Sequence, residues 1–153
     1  MSTSYYDRQL QPDGSFATAD DLANEREAAA AVEQAFGCTL HKFPRFNAVD
    51  YYAEKNGRMA GFVEIKARTH ASTTYPTVFL NLRKWSALLE YSLRCDVPSI
   101  YLVKFTDSML WIDVKAVDAS RHRMGGCSRV VKADTDREPV IEIPIAGMRL
   151  LPQ

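Results

Sequence analysis

The sequence predicts an α/β fold with a mixed central sheet. Three observations carry this prediction: a helical segment near the N-terminus, a strong hairpin signal at Asn56-Gly57, and a strand, a helix and a strand in succession after the hairpin. Such a succession implies a right-handed crossover, so its two strands are expected to lie parallel. Strands joined by a hairpin must instead run antiparallel.

Length and composition indicate one globular domain of about residues 20–153, preceded by a polar arm over residues 1–19 that we expect to be flexible. No apolar run approaches the roughly 20 residues that span a bilayer, and no signal-peptide pattern begins the chain, so no membrane partner is expected. The three cysteines are widely spaced, which suggests free thiols in a reducing compartment.

The chain carries 19 basic and 19 acidic residues, so its net charge is zero. This balance weighs mildly against a nucleic-acid partner, because affinity for phosphate comes from clustered lysine and arginine. A local basic patch can nevertheless coexist with an acidic remainder, so the charge does not exclude such a partner.

The first helix is predicted to begin at an N-cap on Asp20 or Asp21 and to end at Phe36, before Gly37. Its apolar stripe consists of Leu22, Ala29, Val32 and Phe36.

Glu25 falls on that stripe, whereas Glu27 lies on the opposite face and is expected to be solvated. An inward-facing carboxylate is costly unless it is paired, so Glu25 is a candidate site residue. The alternative is a surface carboxylate paired with Arg26 or Arg45, and the sequence leaves both interpretations open.

Three strands are predicted next, over residues 39–46, 47–53 and 59–68. The register of the hairpin matters here, because a shift of one residue moves Asp50 to the other face. A two-residue loop would pair Asp50 with Val63, whereas a three-residue loop over 55–57, with Gly57 as the bulge residue, pairs it with Phe62. We predict the three-residue loop, which places Asp50 on the face of Glu64.

The remaining elements follow in order. They are a polar loop over 69–76, a helix over 82–95, an apolar strand over 99–105, a strand over 109–117, an Arg- and Gly-rich loop over 118–126, and late strands over 128–133 and 140–145.

Glu64 and Lys66 project from one face of their strand, while Val63 and Ile65 project from the other. By themselves, Glu64 and Lys66 would be read as a solvent-facing pair. With Asp50 and an inward Glu25 beside them, they form a group suited to a divalent cation, because hard cations prefer carboxylate oxygens and a nearby ammonium can orient a nucleophile.

This order of elements, with Asp50 on the second strand and Glu64-Ile65-Lys66 on the third, resembles the PD-(D/E)XK nuclease superfamily over about residues 20–105. The residue before Asp50 is Val49 instead of the motif's proline. The resemblance implies a restriction-endonuclease-like αβββαβ core with extra C-terminal strands. It also implies a small phage-type nuclease or junction resolvase in the cytoplasm of a bacterial or phage-infected cell.

By the same resemblance, the chain is expected to be a Mg²⁺- or Mn²⁺-dependent deoxyribonuclease, cutting ends or internal bonds through a metal-activated water. Asp50, Glu64 and the Ile65 carbonyl would bind the metal, and Glu25 would supply a further acid. Lys66 would position the water, so Asp50, Glu64 and Lys66 are the expected catalytic residues.

Four basic residues are candidates for contacting DNA: Lys84, Arg68, Arg121 and Arg123. Lys84 begins the second helix, where an N-terminal turn favours phosphate. For the late arginines, solvated loop charges are an equally good explanation.

Duplex or branched DNA is the expected partner, and a homodimer would let each protomer cut one strand. The competing hypothesis is a catalytically inactive nucleic-acid-binding or assembly module on the same fold. The near-zero net charge favours this alternative.

Overall fold

The computed structural model describes residues 9–10, 16–17, 19–44, 46–125 and 138–152. Two α-helices occur in these ranges, α1 (Ala19–Phe36) and α2 (Leu82–Cys95). The strands are β1 (Gln9–Leu10), β2 (Phe16–Ala17), β3 (Thr39–Lys42), β4 (Tyr51–Lys55), β5 (Arg58–Ala67), β6 (Thr77–Asn81), β7 (Ser99–Lys104), β8 (Met109–Asp113), β9 (His122–Gly125), β10 (Glu138–Pro144) and β11 (Arg149–Leu150).

The central sheet has six strands in the order β11-β8-β7-β5-β4-β3. Strands β5 and β7 lie parallel, and the other neighbours are antiparallel, so the mixed sheet and the parallel crossover are confirmed. Helix α2 lies within that crossover, and its bounds agree with the predicted helix. None of the described helices is long and apolar enough to cross a membrane.

A second sheet of three strands, in the order β6-β10-β9, was not predicted. Strand β6 leads directly into α2, and β9 falls within the segment 118–126 that was predicted to be a loop. Both strands pair with β10. Because β10 is remote from β6 in the chain and does not follow β9 directly, the local sequence gives no indication of these pairings. The predicted strand over 128–133 lies outside the described residues.

The central sheet is covered on both faces. Val63 and Ile65 of β5 pack with Ala28 and Val32 of α1, whereas Glu64 and Lys66 alternate to the other face. That second face carries α2 and the three-stranded sheet, whose Leu80 packs against the central strands. The N-terminal region preceding α1 contains the paired short strands β1 and β2.

The β4–β5 hairpin has a different register from the predicted one. Its loop contains only two residues, Asn56 and Gly57, both with positive φ, so the three-residue loop is wrong. An irregularity further along leaves Ala60 without a partner in the ladder, and pairing resumes with Ala53 opposite Gly61. Without this extra residue, the two-residue loop would pair Asp50 with Val63 and turn it away from the face of Glu64. With it, Tyr51 lies opposite Val63, so Asp50 returns to the face of Glu64.

Candidate active site

Asp50 and Glu64 are neighbours across the β4–β5 pair. Tyr51, the first residue of β4, lies opposite Val63, so the residue before it comes beside Glu64. The predicted outcome, with Asp50 on the face of Glu64, therefore holds, although the bulge and not the loop length produces it.

Lys84 joins these two carboxylates. Its Nζ atom lies 2.5 Å from Oε1 of Glu64 and 3.5 Å from Oδ1 of Asp50. The position follows from the start of α2, where the Asn81 side chain accepts a hydrogen bond from the Arg83 backbone N–H and caps the first turn. The sequence predicts that Lys84 contacts phosphate, whereas the structure places its ammonium between the two acids.

Glu64 is buried, with 3% of its surface exposed. The pKa of its carboxyl is raised to about 8, first by burial and then by the Asp50 charge, while Lys84 opposes both effects. The Oε2 atom of Glu64 has no hydrogen-bond partner among the described residues. A buried carboxylate oxygen without a partner is unfavourable, so this atom provides a free acceptor within the site.

Lys66 follows Glu64 on the same face and forms no ion pair with any described residue. Desolvation of its amine lowers the pKa of Lys66, and the nearby Arg68 and Lys84 cations lower it further. The residue as a whole is exposed, so solvent screens part of this effect. Lys66 is therefore a free amine beside the acid pair.

Glu25 lies in a different arrangement. Its Oε1 atom accepts a hydrogen bond from the Tyr51 hydroxyl at 2.5 Å and pairs with Nζ of Lys42 at 2.9 Å. The partner is therefore Lys42, on β3, and not Arg26; Arg45 lies outside the described residues. Burial and the Glu25 hydrogen bond raise the pKa of the Tyr51 hydroxyl, so this tyrosine stays protonated and donates.

Glu27 is exposed on the opposite side of α1, as predicted, but it forms an ion pair with Lys104 at 3.6 Å. The pair joins the helix to β7 at the surface, where such an interaction contributes little to stability.

A divalent cation would fit Asp50 and Glu64. The pair offers hard oxygen donors, one buried acceptor is free, and a positive group already lies between the carboxylates. Among the described residues, however, no group of three or more Asp, Glu, His or Cys side chains converges closely enough to hold a metal. The predicted three-acid cluster is therefore not assembled, because Glu25 is engaged by Lys42 and Tyr51.

The candidate arginines separate into two groups. Arg68 and Arg123 line one cavity, together with His70, Tyr75 and the first half of β6. Arg121 is exposed and does not line that cavity.

Three further residues of this region are not predicted from the sequence: Lys42, Tyr51 and Tyr101. Lys42 lies opposite Tyr51 in the β3–β4 pairing, and Tyr101 lies beside Glu64 in the β5–β7 pairing. Only the tertiary structure reveals them, because each residue lies on a different element from the acid it approaches: Lys42 and Tyr51 reach Glu25 of α1, and Tyr101 lies beside Glu64 of β5.

Comparison with solved structures finds a similar fold in Hjc, a Holliday junction resolvase from Archaeoglobus fulgidus. The two chains share 12% sequence identity, with a TM-score of 0.54 over 82% of this chain and 84% of the resolvase. A comparison with curated proteins returns no match.

The family described as "Phage putative PDDEXK endonuclease" matches residues 13–151. This match covers almost the whole chain, including both acids and both lysines of the site. The fold is restriction-endonuclease-like, and the chain belongs to this phage PDDEXK endonuclease family.

Proposed function

We propose that this nuclease hydrolyses DNA with the help of Mg²⁺ or Mn²⁺, and that Asp50, Glu64 and Lys66 are its catalytic residues. The observation that carries the proposal is the convergence of the two carboxylates on one ammonium, with the buried Oε2 atom of Glu64 left free. Carboxylates brought together in this way repel each other unless a cation is present, so the pair is built to hold positive charge.

Asp50, Glu64 and the Ile65 carbonyl would hold the divalent cation, with Glu25 as a further acid if Lys42 releases it. When bound, such an ion supplies positive charge beside the phosphoryl oxygens and lowers the pKa of water. The structure offers two carboxylate ligands, Asp50 and Glu64. Two carboxylates are enough for magnesium, because this ion keeps several of its own water ligands.

The two lysines have different tasks in this proposal. Lys66 forms no ion pair within the described part of the chain, so its amine is available to donate a hydrogen bond to the attacking water or to a phosphoryl oxygen. Lys84 has a flexible four-carbon stem, so its ammonium can leave the carboxylates and contact a phosphate oxygen of the substrate.

The test is cleavage of plasmid, single-stranded and four-way-junction DNA in manganese. Lys66→Ala should lower the rate by about 10²- to 10⁴-fold, the usual contribution of a positioned proton-transfer group. Asp50→Asn should also lower the rate, because it removes a proposed metal ligand. Binding of the same DNA in EDTA, followed by fluorescence anisotropy, should remain. Lys115→Ala is the matched control, because Lys115 is an exposed lysine of the turn after β8.

Equal cleavage by all variants would indicate a contaminating nuclease and would favour the binding-module alternative. If the substrate is a duplex or a junction, we expect a homodimer in which each protomer hydrolyses one strand. Sedimentation of the protein with and without a four-way junction measures this directly.

A further inference from the structure

The cavity beside the candidate active site combines cationic and aromatic side chains. Its volume is about 430 Å³, and it lies between the loop 69–76, strand β6 and strand β9. The lining residues are Arg68, His70, Tyr75, Pro76, Thr77, Val78, Phe79 and Arg123. Cations suit phosphate and aromatic rings suit nucleobases, so this lining has the composition of a nucleotide site.

The cavity adjoins the acid pair through two elements. Arg68, the first residue after β5, lies two residues beyond Lys66, a separation of roughly 7 Å along an extended chain. On β7, Tyr101 lies beside Glu64, and its hydroxyl donates to the Phe79 carbonyl at 2.8 Å. If a phosphate of the DNA is bound at Asp50 and Glu64, the cavity therefore lies at the distance of the neighbouring nucleotide.

The cation of the cavity is available to a ligand. Arg68 forms no ion pair with the residues that the structure describes. Arg123 instead stacks over the Phe79 ring, 4.5 Å from its centroid, and pairs with Glu142 at 2.6 Å. Arg68 therefore provides the positive charge that is available to a ligand, while Arg123 and Phe79 form one wall of the cavity.

Tyr75 provides the stacking surface. Its side chain is 57% exposed, although it makes an edge contact with His70 at 4.9 Å between ring centroids. The loop that carries it is fixed at several points. The Ser72 backbone N–H and hydroxyl both donate to the Asp107 carboxylate, and the Thr106 N–H donates to the His70 carbonyl. A preformed site loses less entropy when it binds.

We propose, on the basis of the function proposed above, that this cavity binds an unpaired nucleotide next to the cleaved phosphate. A base within a paired duplex cannot enter an enclosure of this size, because it would first have to leave the stack, which is unfavourable. The preferred substrates are therefore DNAs that already offer an unpaired base, such as flaps, bulges and junctions. Arg68 contacts the phosphate of that nucleotide, and Tyr75 stacks on its base.

Fluorescence anisotropy in EDTA tests this without cleavage. The wild-type protein should bind a duplex with a three-nucleotide tail about tenfold more tightly than the blunt duplex of the same sequence, within the range of one stacked base. Tyr75→Ala should abolish the preference, and Tyr75→Phe should retain it. Arg68→Ala should weaken binding of the tailed DNA more than that of the blunt duplex, and it should reduce the salt dependence for the tailed DNA by about one phosphate contact.

Arg58→Ala is the matched control, because Arg58 is exposed at the opposite end of β5. Equal binding of tailed and blunt DNA by the wild type, or an unchanged preference in Tyr75→Ala, would overturn the proposal. Photo-crosslinking with 5-iodouracil in the tail is an independent measurement. The crosslink should map to the peptide containing Tyr75, and a crosslink confined to another segment would also overturn it.

These results separate the two proposals. A tail preference that depends on Tyr75, in a protein that cleaves no DNA in manganese, defeats the proposed function and supports the nucleotide site. Cleavage of DNA in manganese without a Tyr75-dependent preference for the tail supports the proposed function and defeats the nucleotide site.

Discussion

The ammonium of Lys84 lies 2.5 Å from the carboxylate of Glu64, and this contact joins the start of α2 to the middle of β5. The two partners differ in exposure: the Lys84 side chain is 39% exposed, whereas that of Glu64 is 4% exposed. Glu64 is therefore fixed in the interior, while Lys84 can move toward solvent. A divalent cation and Lys84 would compete for the same oxygens.

Lys84→Met should destabilise the metal-free protein at pH 8.5 by about 1–3 kcal/mol, because it leaves a buried carboxylate without its counter-charge. The same variant should gain more stability from manganese than the wild type gains, since the competing ammonium is absent. Urea unfolding in EDTA and in manganese measures both effects. Lys115→Met serves as the control, and equal stability of Lys84→Met and wild type in EDTA would contradict the prediction.

The pH dependence of stability should reveal Glu64. Its folded pKa of about 8 exceeds the ordinary value of 4.5, so between these pH values the folded protein binds more protons than the unfolded chain. The free energy of unfolding therefore falls as pH rises through this window. In EDTA, Glu64→Gln should lack this decline and should exceed wild type by about 1–3 kcal/mol at pH 8.5. Parallel stability–pH curves for the two proteins would show that the carboxyl titrates normally.

Manganese should stabilise the wild-type protein, because a ligand that binds only the folded state raises the free energy of unfolding. At a free concentration 100-fold above the dissociation constant, the gain is about 2.7 kcal/mol, or a rise in melting temperature of roughly 5–10 °C. Asp50→Asn should abolish the rise, and Asp118→Asn, in an exposed loop, should keep it.

Glu25→Gln distinguishes the roles left open for that acid. If Glu25 is a further metal ligand, the variant should lose part of the manganese-dependent rise. A full rise would assign Glu25 to the pair with Lys42 and the hydrogen bond from Tyr51 alone.

Gly61→Ala should destabilise the protein by about 1–3 kcal/mol, the usual effect of overpacking. A Cβ atom at this position would lie 2.8 Å from the Pro98 carbonyl oxygen, which also accepts a hydrogen bond from the Phe62 N–H at 3.0 Å. Gly147→Ala is the matched control, because a Cβ atom there meets nothing within 4 Å. Urea unfolding of both variants decides the matter, and equal stability would contradict the prediction.

The elements with strong local signals were predictable. Helix α2 has both a capping Asn81 and regular apolar spacing, and its bounds were correct. The face that carries Glu64 and Lys66 was also predictable, since alternation along a strand depends only on sequence order.

Features that depend on partners remote in the chain were not predictable. The register of β4 and β5 depends on the unpaired Ala60, which nothing in the local sequence marks. Lys42 reaches Glu25 only because β3 lies at the edge of the sheet beside β4. Lys84 was singled out for its place at a helix start, but its ion pair with Glu64 follows from packing of α2 on the sheet.

The unpaired Ala60 limits how this hairpin can change in length. A residue inserted or removed within the paired part of either strand, between the loop and Asp50 or between the loop and Glu64, reverses the face of one acid unless a bulge compensates. A residue added to the loop at the tip leaves the pairing unchanged. Homologous chains should therefore differ within the paired strands by even numbers of residues, or by an odd number accompanied by gain or loss of the bulge, while the loop itself varies freely in length. Insertions at the tip could in this way alter the reach of the hairpin without disturbing the chemistry at its base.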